Sequence, residues 1–179
     1  VLISVAGNSV STTADNDGHF KASLPALKAN SGPHQLVLEG TNKITINDVL
    51  VGEVWICSGQ SNMAFSVNSA NDPDLESLAA KYPRIRILSV PQVGSQQPQD
   101  NFQGAWQAVT PESVRNFSAV GYFFGRQLHQ VLDVPIGLID NAWGGSACEA
   151  WIPRRVLEET GQYSELLEKW DTLAASYDH

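Results

Sequence analysis

Residues 51–63 read "VGEVWICSGQSNM". The first seven are almost continuously apolar, the pattern of a strand buried on both faces in a parallel sheet. The run stops at Ser58-Gly59, and Ser61 then stands between two amides, Gln60 and Asn62. In parallel sheets ligands gather beyond the carboxyl ends of the strands. A serine just past such an end that also opens a helix has an unpaired backbone N–H next to its own hydroxyl. Nucleophile and oxyanion donor can then come from one residue. The competing role for Ser61 is a plain helix N-cap. The G-x-S-x-G nucleophile elbow is absent because Met63 stands where the second glycine would be, which argues against an α/β-hydrolase of the usual kind.

Working outward, two more apolar runs, "RIRILSV" (84–90) and "PIGLIDN" (135–141), read as strands of the same sheet. Between them Val120, Phe124, Leu128 and Val131 recur at helical spacing, with Asn116 or Ser118 able to cap the helix start. "DPDLESLAAKYP" predicts a shorter helix before the second strand, and the residues after Arg154 predict one or two more. Strands alternating with helices give an α/β domain with a mainly parallel sheet, assigned to residues 51–179. Residues 1–50 differ: "VLISVAG", "HFKASL", "HQLVLEG" and "KITINDVLV" are short antiparallel candidates between turn-prone links, which predicts a partial β-sandwich module. The polar loop "PQVGSQQPQDNFQGAW" has no periodicity and is long enough to be functional.

The third strand ends in a second glycine-rich turn, "DNAWGGSACEAW" (140–151). Paired glycines let a backbone approach a ligand and aim N–H groups into a cavity, so Gly144 and Gly145 are candidate oxyanion donors; the alternative is a tight turn into a helix near Ser146. Trp143 and Trp151 flank this turn and are expected in the core, with stacking on a sugar ring as the other reading. Cys57 closes the first strand, where cysteine acts as a small hydrophobe more readily than as a nucleophile. Spacing does not say whether Cys57 and Cys148 pair. Asp140, Glu149 and Glu53 form no metal-ligand grouping and no Cys/His zinc spacing exists, so neither metal nor cofactor is expected.

Composition sets the outer bounds. The 179 residues are 42% hydrophobic and 17% charged, an ordinary globular mixture long enough to bury a core. A net charge of -8 argues against nucleic acid as a partner. No run approaches the roughly 20 apolar residues of a membrane span.

Taken together, "VWICSGQSNM" and "PIGLIDNAWGGSACEAWIP" closely resemble the sialate O-acetylesterases, a branch of the SGNH-type hydrolases that also includes certain acetylxylan esterases. The β-rich start running into "VGEVW" is similar too, since in that family a β-sandwich precedes the catalytic domain. The resemblance implies an SGNH-hydrolase-like fold, here incomplete, in which Ser61 is the nucleophile. It implies that the N–H of Gly145, with Gly144 less favoured, completes an oxyanion hole with that of Ser61, and that Gln60 and Asn62 position the loop. The family's base is an Asp-x-x-His pair, and a Gln-Gly-Glu motif supplies a further oxyanion group; neither is present. The four histidines are His19, His34, His129 and His179, and none follows an aspartate by three residues. His19 and His34 are expected in turns of the β-module, His129 on a solvated helix face, and His179 beside Asp178 does not meet the triad's geometry. The chain is therefore expected to be the amino-terminal part of a longer esterase whose carboxyl-terminal part, in the same or a second chain, supplies the base. The implied substrate is O-acetylated sialic acid, with acetylated xylan or another acetylated glycan as the alternative, and the implied location is extracytoplasmic: periplasmic, secreted or lysosomal. A reading of another class is a non-catalytic glycan-binding module.

Overall fold

A computed structural model describes residues 1–29, 32–95 and 97–176. The first sheet is antiparallel, built from β1 (Leu2–Val5), β2 (Asn8–Ser11), β3 (His34–Glu39) and β4 (Lys43–Val49) in the order β2-β1-β3-β4. Ala6 and Gly7, both at positive φ (50° and 77°), join β1 to β2 in the left-handed geometry that matches strand twist in a two-residue hairpin. That short closure places 8–11 beside β1 and displaces the predicted strand "HFKASL", whose residues 19–24 carry no regular structure. His34 opens β3, opposite Val49, and so lies in the sheet and not in a turn.

The second sheet is mixed. Its elements are β5 (Glu53–Gly59), α1 (Ser61–Ala64), α2 (Pro73–Ala79), β6 (Tyr82–Ser89), β7 (Gln107–Val109), α3 (Ala119–Leu132) and β8 (Ile136–Ala142), followed by α4 (Arg154–Thr160) and α5 (Ser164–Ala175). The strand order is β5-β8-β6-β7. β8 runs parallel to both neighbours, pairing Cys57 with Asp140 on one side and Ser89 with Asp140 on the other. β7, a three-residue antiparallel edge strand, is too short to show a pattern in the sequence.

Ile85, Ile87, Val109, Phe117, Tyr122, Ile136 and Leu138 are buried at the centre of this unit. α3 lies over the sheet on its smallest residues. A Cβ on Gly121 would stand 2.8 Å from the Cys57 Sγ, and one on Gly125 would stand 2.6 Å from a Leu138 methyl. The buried face of α3 is thus Ala119, Gly121, Tyr122 and Gly125. Of the predicted apolar stripe only Leu128 packs against the core: Val120, Phe124 and Val131 are exposed, because close approach selects glycine over bulk.

β5 also departs from expectation. Cys57 is buried under α3 and Trp55 meets Phe124 edge-on at 5.1 Å, but Val54 and Ile56 are 61% and 67% exposed. The strand stands at the edge of the sheet, with β8 on one side and no strand on the other among the described residues. The first sheet sits at the opposite pole from the strand ends: residues 46–50 enclose, with Gly52, Glu53, Pro135 and Trp106, a cavity of about 600 Å³ at the amino ends of β5 and β8. Arg86 spans its rim to Asp48 at 2.7 Å.

Candidate active site

The carboxyl ends of β5 and β8 meet where the sequence reading placed the chemistry. Gly59, paired with Ala142, ends β5, and its carbonyl accepts the Trp143 N–H at 2.9 Å, so the two loops leave the sheet tied together. Gly59 holds φ 151°, and Ser61 is the first residue of α1. In that position the Ser61 N–H has no intrahelical carbonyl to reach. Ser61 is exposed at the rim, as are Gln60 and Asn62.

The glycine turn leans over this serine. A Cβ on Gly144 would lie 3.5 Å from the Ser61 Cα and 3.9 Å from its nitrogen. Gly145 adopts φ +79° with nothing within 4 Å of a Cβ, so its requirement is conformational and not steric. The Ser146 N–H returns to the Trp143 carbonyl at 3.3 Å and its hydroxyl donates to the same oxygen at 2.7 Å, closing the turn. The Gln60 side-chain amide donates to the Ser146 carbonyl, bridging the serine loop to the glycine loop.

Trp143 and Trp151 are 40% and 38% exposed, which corrects their expected core placement. The Trp151 indole N–H donates to the Ser146 hydroxyl at 2.8 Å, so a polar contact with the turn, not burial, fixes it. A short 3-10 turn, Cys148–Trp151, follows the glycines in place of a helix starting at Ser146. The cysteines are both free thiols, Cys57 buried and Cys148 exposed. Burial, and secondarily the Asp140 carboxylate, push the Cys57 thiol up from its ordinary value, which opposes the thiolate a nucleophile needs.

No described histidine stands at this site. His129 lies eleven residues after Ser118, the α3 N-cap, which at 1.5 Å per residue is about 16 Å down the helix. It is half-buried and not solvated: its Nδ1 is 2.7 Å from the Val134 carbonyl and its ring edge meets Tyr82. His34 pairs with Val49 in the first sheet, His19 lies exposed in the turn closed by Asp15, and His179 lies outside the described residues.

Asp140 stands out in the sequence only as a possible metal ligand, and what surrounds it is visible only in the fold. Its side chain lies at the end of β8, where the nearby backbone N–H groups of Ser118 and Ala142 offset part of the effect of burial on its carboxyl. Burial holds its carboxyl above the ordinary carboxylate value despite those donors, and its Oδ1 is sealed from solvent without a hydrogen-bond partner. The contact of Gln92, at the base of the long loop, is likewise visible only in the fold: its amide donates to the Ala142 carbonyl at 3.1 Å.

Comparison with known proteins places this arrangement. Residues 51–177 match the family of sialic acid-specific acetylesterases among the carbohydrate esterases. The chain belongs to that family. Human sialate O-acetylesterase is 33% identical over 162 residues, covering 83% of this chain but 31% of the relative, and the mouse protein is 38% identical over 144 residues, covering 73% and 27%. The crystal structure of a carbohydrate acetylesterase from Xanthomonas citri superposes with a TM-score of 0.83 at 39% identity, covering 87% of this chain and 36% of that one. The chain thus spans about a third of the length of these esterases.

Proposed function

We propose that this chain carries the nucleophilic half of a serine carbohydrate O-acetylesterase, whose Asp-His pair lies in a further part of the polypeptide. The observation that carries the reading is the approach of the Gly144-Gly145 turn to Ser61 at the carboxyl ends of adjacent parallel strands. In the proposed reaction the Ser61 Oγ forms a bond to the acetyl carbonyl carbon while its proton passes to the histidine. The oxygen's growing charge is held by the N–H groups of Ser61 and Gly145, with that of Gly144 as the alternative donor. The ester C–O bond then breaks, the histidine returns the proton to the sugar hydroxyl, and water releases acetate from the acetyl-enzyme by the reverse roles. Each oxyanion donor of this kind is worth about 3 kcal/mol in the transition state. Gln60 holds the two loops in register, and Asn62 is assigned a supporting part in the same loop.

The substrate we favour is an O-acetylated sialic acid, supported by the names of the curated relatives; acetylated xylan or another acetylated glycan is the alternative. The site as read requires no metal or cofactor. The remainder of the protein would add a strand along the open edge of β5, face the first sheet to complete a sandwich with residues 1–50, and bring the base to Ser61. An extracytoplasmic location accords with such a substrate. Among the described residues no helix is long and apolar enough to cross a membrane.

The test is hydrolysis of an aryl acetate and of O-acetylated sialic acid by the full-length polypeptide. Ser61→Ala should lower turnover by several orders of magnitude, as loss of a nucleophile does in other triads, and residues 1–179 alone should be inactive. Retained turnover in Ser61→Ala would overturn the assignment, and saturable glycan binding without any turnover would favour a binding module instead.

A further inference from the structure

Gln92 has no part in the reaction just described, yet its side chain completes the sheet at the point from which the glycine turn departs. β8 pairs with β6 as far as Ser89 and Asp140, and the Val90 N–H still reaches the Asp140 carbonyl at 2.9 Å. In a parallel ladder the next donor on that side is the backbone N–H of residue 92, aimed at the carbonyl of residue 142. β6 has ended by then: the Val93 N–H folds back to the Pro91 carbonyl at 2.9 Å, a three-residue turn centred on Gln92 that takes its backbone out of line. The Gln92 side-chain amide supplies the donor instead, 3.1 Å from the Ala142 carbonyl.

The same peptide unit is held from its other end. The Ala142-Trp143 peptide carries both the carbonyl that Gln92 engages and the N–H that donates to the Gly59 carbonyl at 2.9 Å, and in a planar trans peptide these two groups point to opposite sides. Two hydrogen bonds, one from the β6 side and one to the β5 side, therefore fix the plane of the last peptide before Gly144. Beyond the turn the Ser146 carbonyl accepts the Gln60 amide. The carbonyls on either side of Trp143-Gly144-Gly145 are thus each held by a glutamine, one following β6 and the other following β5.

We propose that Gln92 is a positioning residue of the esterase site, its amide fixing the Ala142-Trp143 peptide so that the glycine turn stands beside Ser61. The inference rests on the esterase reading above. Without the amide, the Ala142 carbonyl turns to water and the peptide keeps only its bond to Gly59, about which it can rotate. The residues after it move with that rotation, and they have little room: a Cβ on Gly144 would already stand 3.5 Å from the Ser61 Cα. A misplacement of about 1 Å at such a site can cost on the order of 100-fold in rate. Because the donors proposed for the turn serve the reacting oxygen and not the sugar, the loss falls on kcat. Gln92 itself is exposed, so its replacement leaves the core intact.

The experiment measures kcat and KM of the full-length polypeptide on an aryl acetate for wild type, Ser61→Ala, Gln92→Ala and Gln92→Glu, with thermal denaturation of each. An aryl acetate has no sugar, so a Gln92 that merely anchored the polar loop for glycan contacts would leave these kinetics unchanged. Expected for Gln92→Ala is a fall in kcat between about fivefold, the worth of one exposed neutral hydrogen bond, and about 100-fold, the cost of a displaced turn. KM should stay within about twofold and the melting temperature within about 3 °C of wild type. Gln92→Glu keeps the length, has no donor when ionised and sets its charge against the Ala142 carbonyl, so it should be at least as slow as Gln92→Ala. A kcat for Gln92→Ala within about threefold of wild type, a loss carried by KM, a Gln92→Glu protein as fast as wild type, or a larger fall in melting temperature would overturn the proposal. Absence of any Ser61-dependent hydrolysis in the wild type would defeat the esterase reading and this proposal with it, whereas intact Ser61-dependent turnover with indifferent Gln92 variants defeats only the latter.

Discussion

Gly145 offers the sharpest separation between a turn that merely connects and a turn that catalyses. Its φ of +79° lies in the left-handed region, and an added Cβ would meet no atom within 4 Å. Replacement by alanine therefore brings no steric clash, only the backbone cost of a left-handed L-residue, about 1–2 kcal/mol. For a domain of this size that corresponds to a fall of about 2–8 °C in melting temperature. The chain has one way to avoid the cost, which is to rotate the peptide at 145 out of the left-handed region, and that rotation would move the Gly145 N–H from the place the proposed function assigns to it. The stability retained is then lost in catalysis: removing one oxyanion donor costs about 100- to 1,000-fold in kcat. Gly145→Ala in the full-length polypeptide should show one or both signatures when aryl acetate turnover and thermal denaturation are measured on the same preparation. Gly144→Ala is the control, since a Cβ there stands 3.5–3.9 Å from Ser61 in ordinary contact and Gly144 is not in the left-handed region. It should melt within about 2 °C of wild type, as expected for a substitution without strain. A Gly145→Ala protein with unchanged melting and with kcat within twofold of wild type would refute both the conformational argument and the assignment of its N–H.

Gln60→Ala removes the amide that joins the serine loop to the Ser146 carbonyl. With an exposed neutral hydrogen bond worth about 1 kcal/mol, it should lower kcat about fivefold with little change in melting temperature, and unchanged kinetics would remove Gln60 from the site. Asp140 predicts a pH dependence of stability. Its folded-state carboxyl titrates above the ordinary 3.8, because burial outweighs the nearby backbone N–H groups, so the native state binds the proton more tightly than the unfolded chain. The stabilisation this gives is complete below the unfolded value and is lost as pH rises through the folded one. Denaturant midpoints of wild type against Asp140→Asn should therefore diverge as pH is raised from about 3.8 through the mildly acidic range, with the wild type falling relative to the variant; parallel curves would contradict it.

The parts of the molecule legible in the sequence are those whose signal is local. A hydrophobic run broken by Gly-Gln-Ser located β5 and the rim serine, and Ser118 capped α3 as its residue type suggests. Strand order could not be read, because the position of β8 between β5 and β6 depends on which edges other segments occupy. Helical spacing singled out Val120, Phe124 and Val131 while the helix buries its glycines, since periodicity weighs bulk and close packing rewards its absence. The hairpin at Ala6-Gly7 was hidden because alanine rarely supplies a left-handed residue. At the site, Gln60 and the glycines were recognisable as turn chemistry near a serine. The burial of Asp140 was not: it comes from strands and a helix distant in sequence, and no local pattern carries that.

Two features of the fold that look unrelated have one explanation under the proposed function. Among the described residues Ser61 has the glycine turn beside it but no histidine, and β5, the strand that delivers it, has a neighbouring strand on one side only. Val54 and Ile56 stand open on one face of that edge, while Trp55, Phe124, Val120 and Val131 form an apolar surface on the other. A monomeric soluble protein rarely leaves a continuous apolar surface of this kind uncovered. A strand laid parallel to β5 would cover both faces' margins and pair the open backbone groups. Its carboxyl end would then emerge beside Ser61, on the side away from the glycine turn. That is the side from which a base must approach a serine whose other flank is occupied by the oxyanion donors. The uncovered edge and the missing proton acceptor are thus one requirement, and a segment that satisfied the first without bringing a base or a further donor to the second would leave the placement of Ser61 without a purpose.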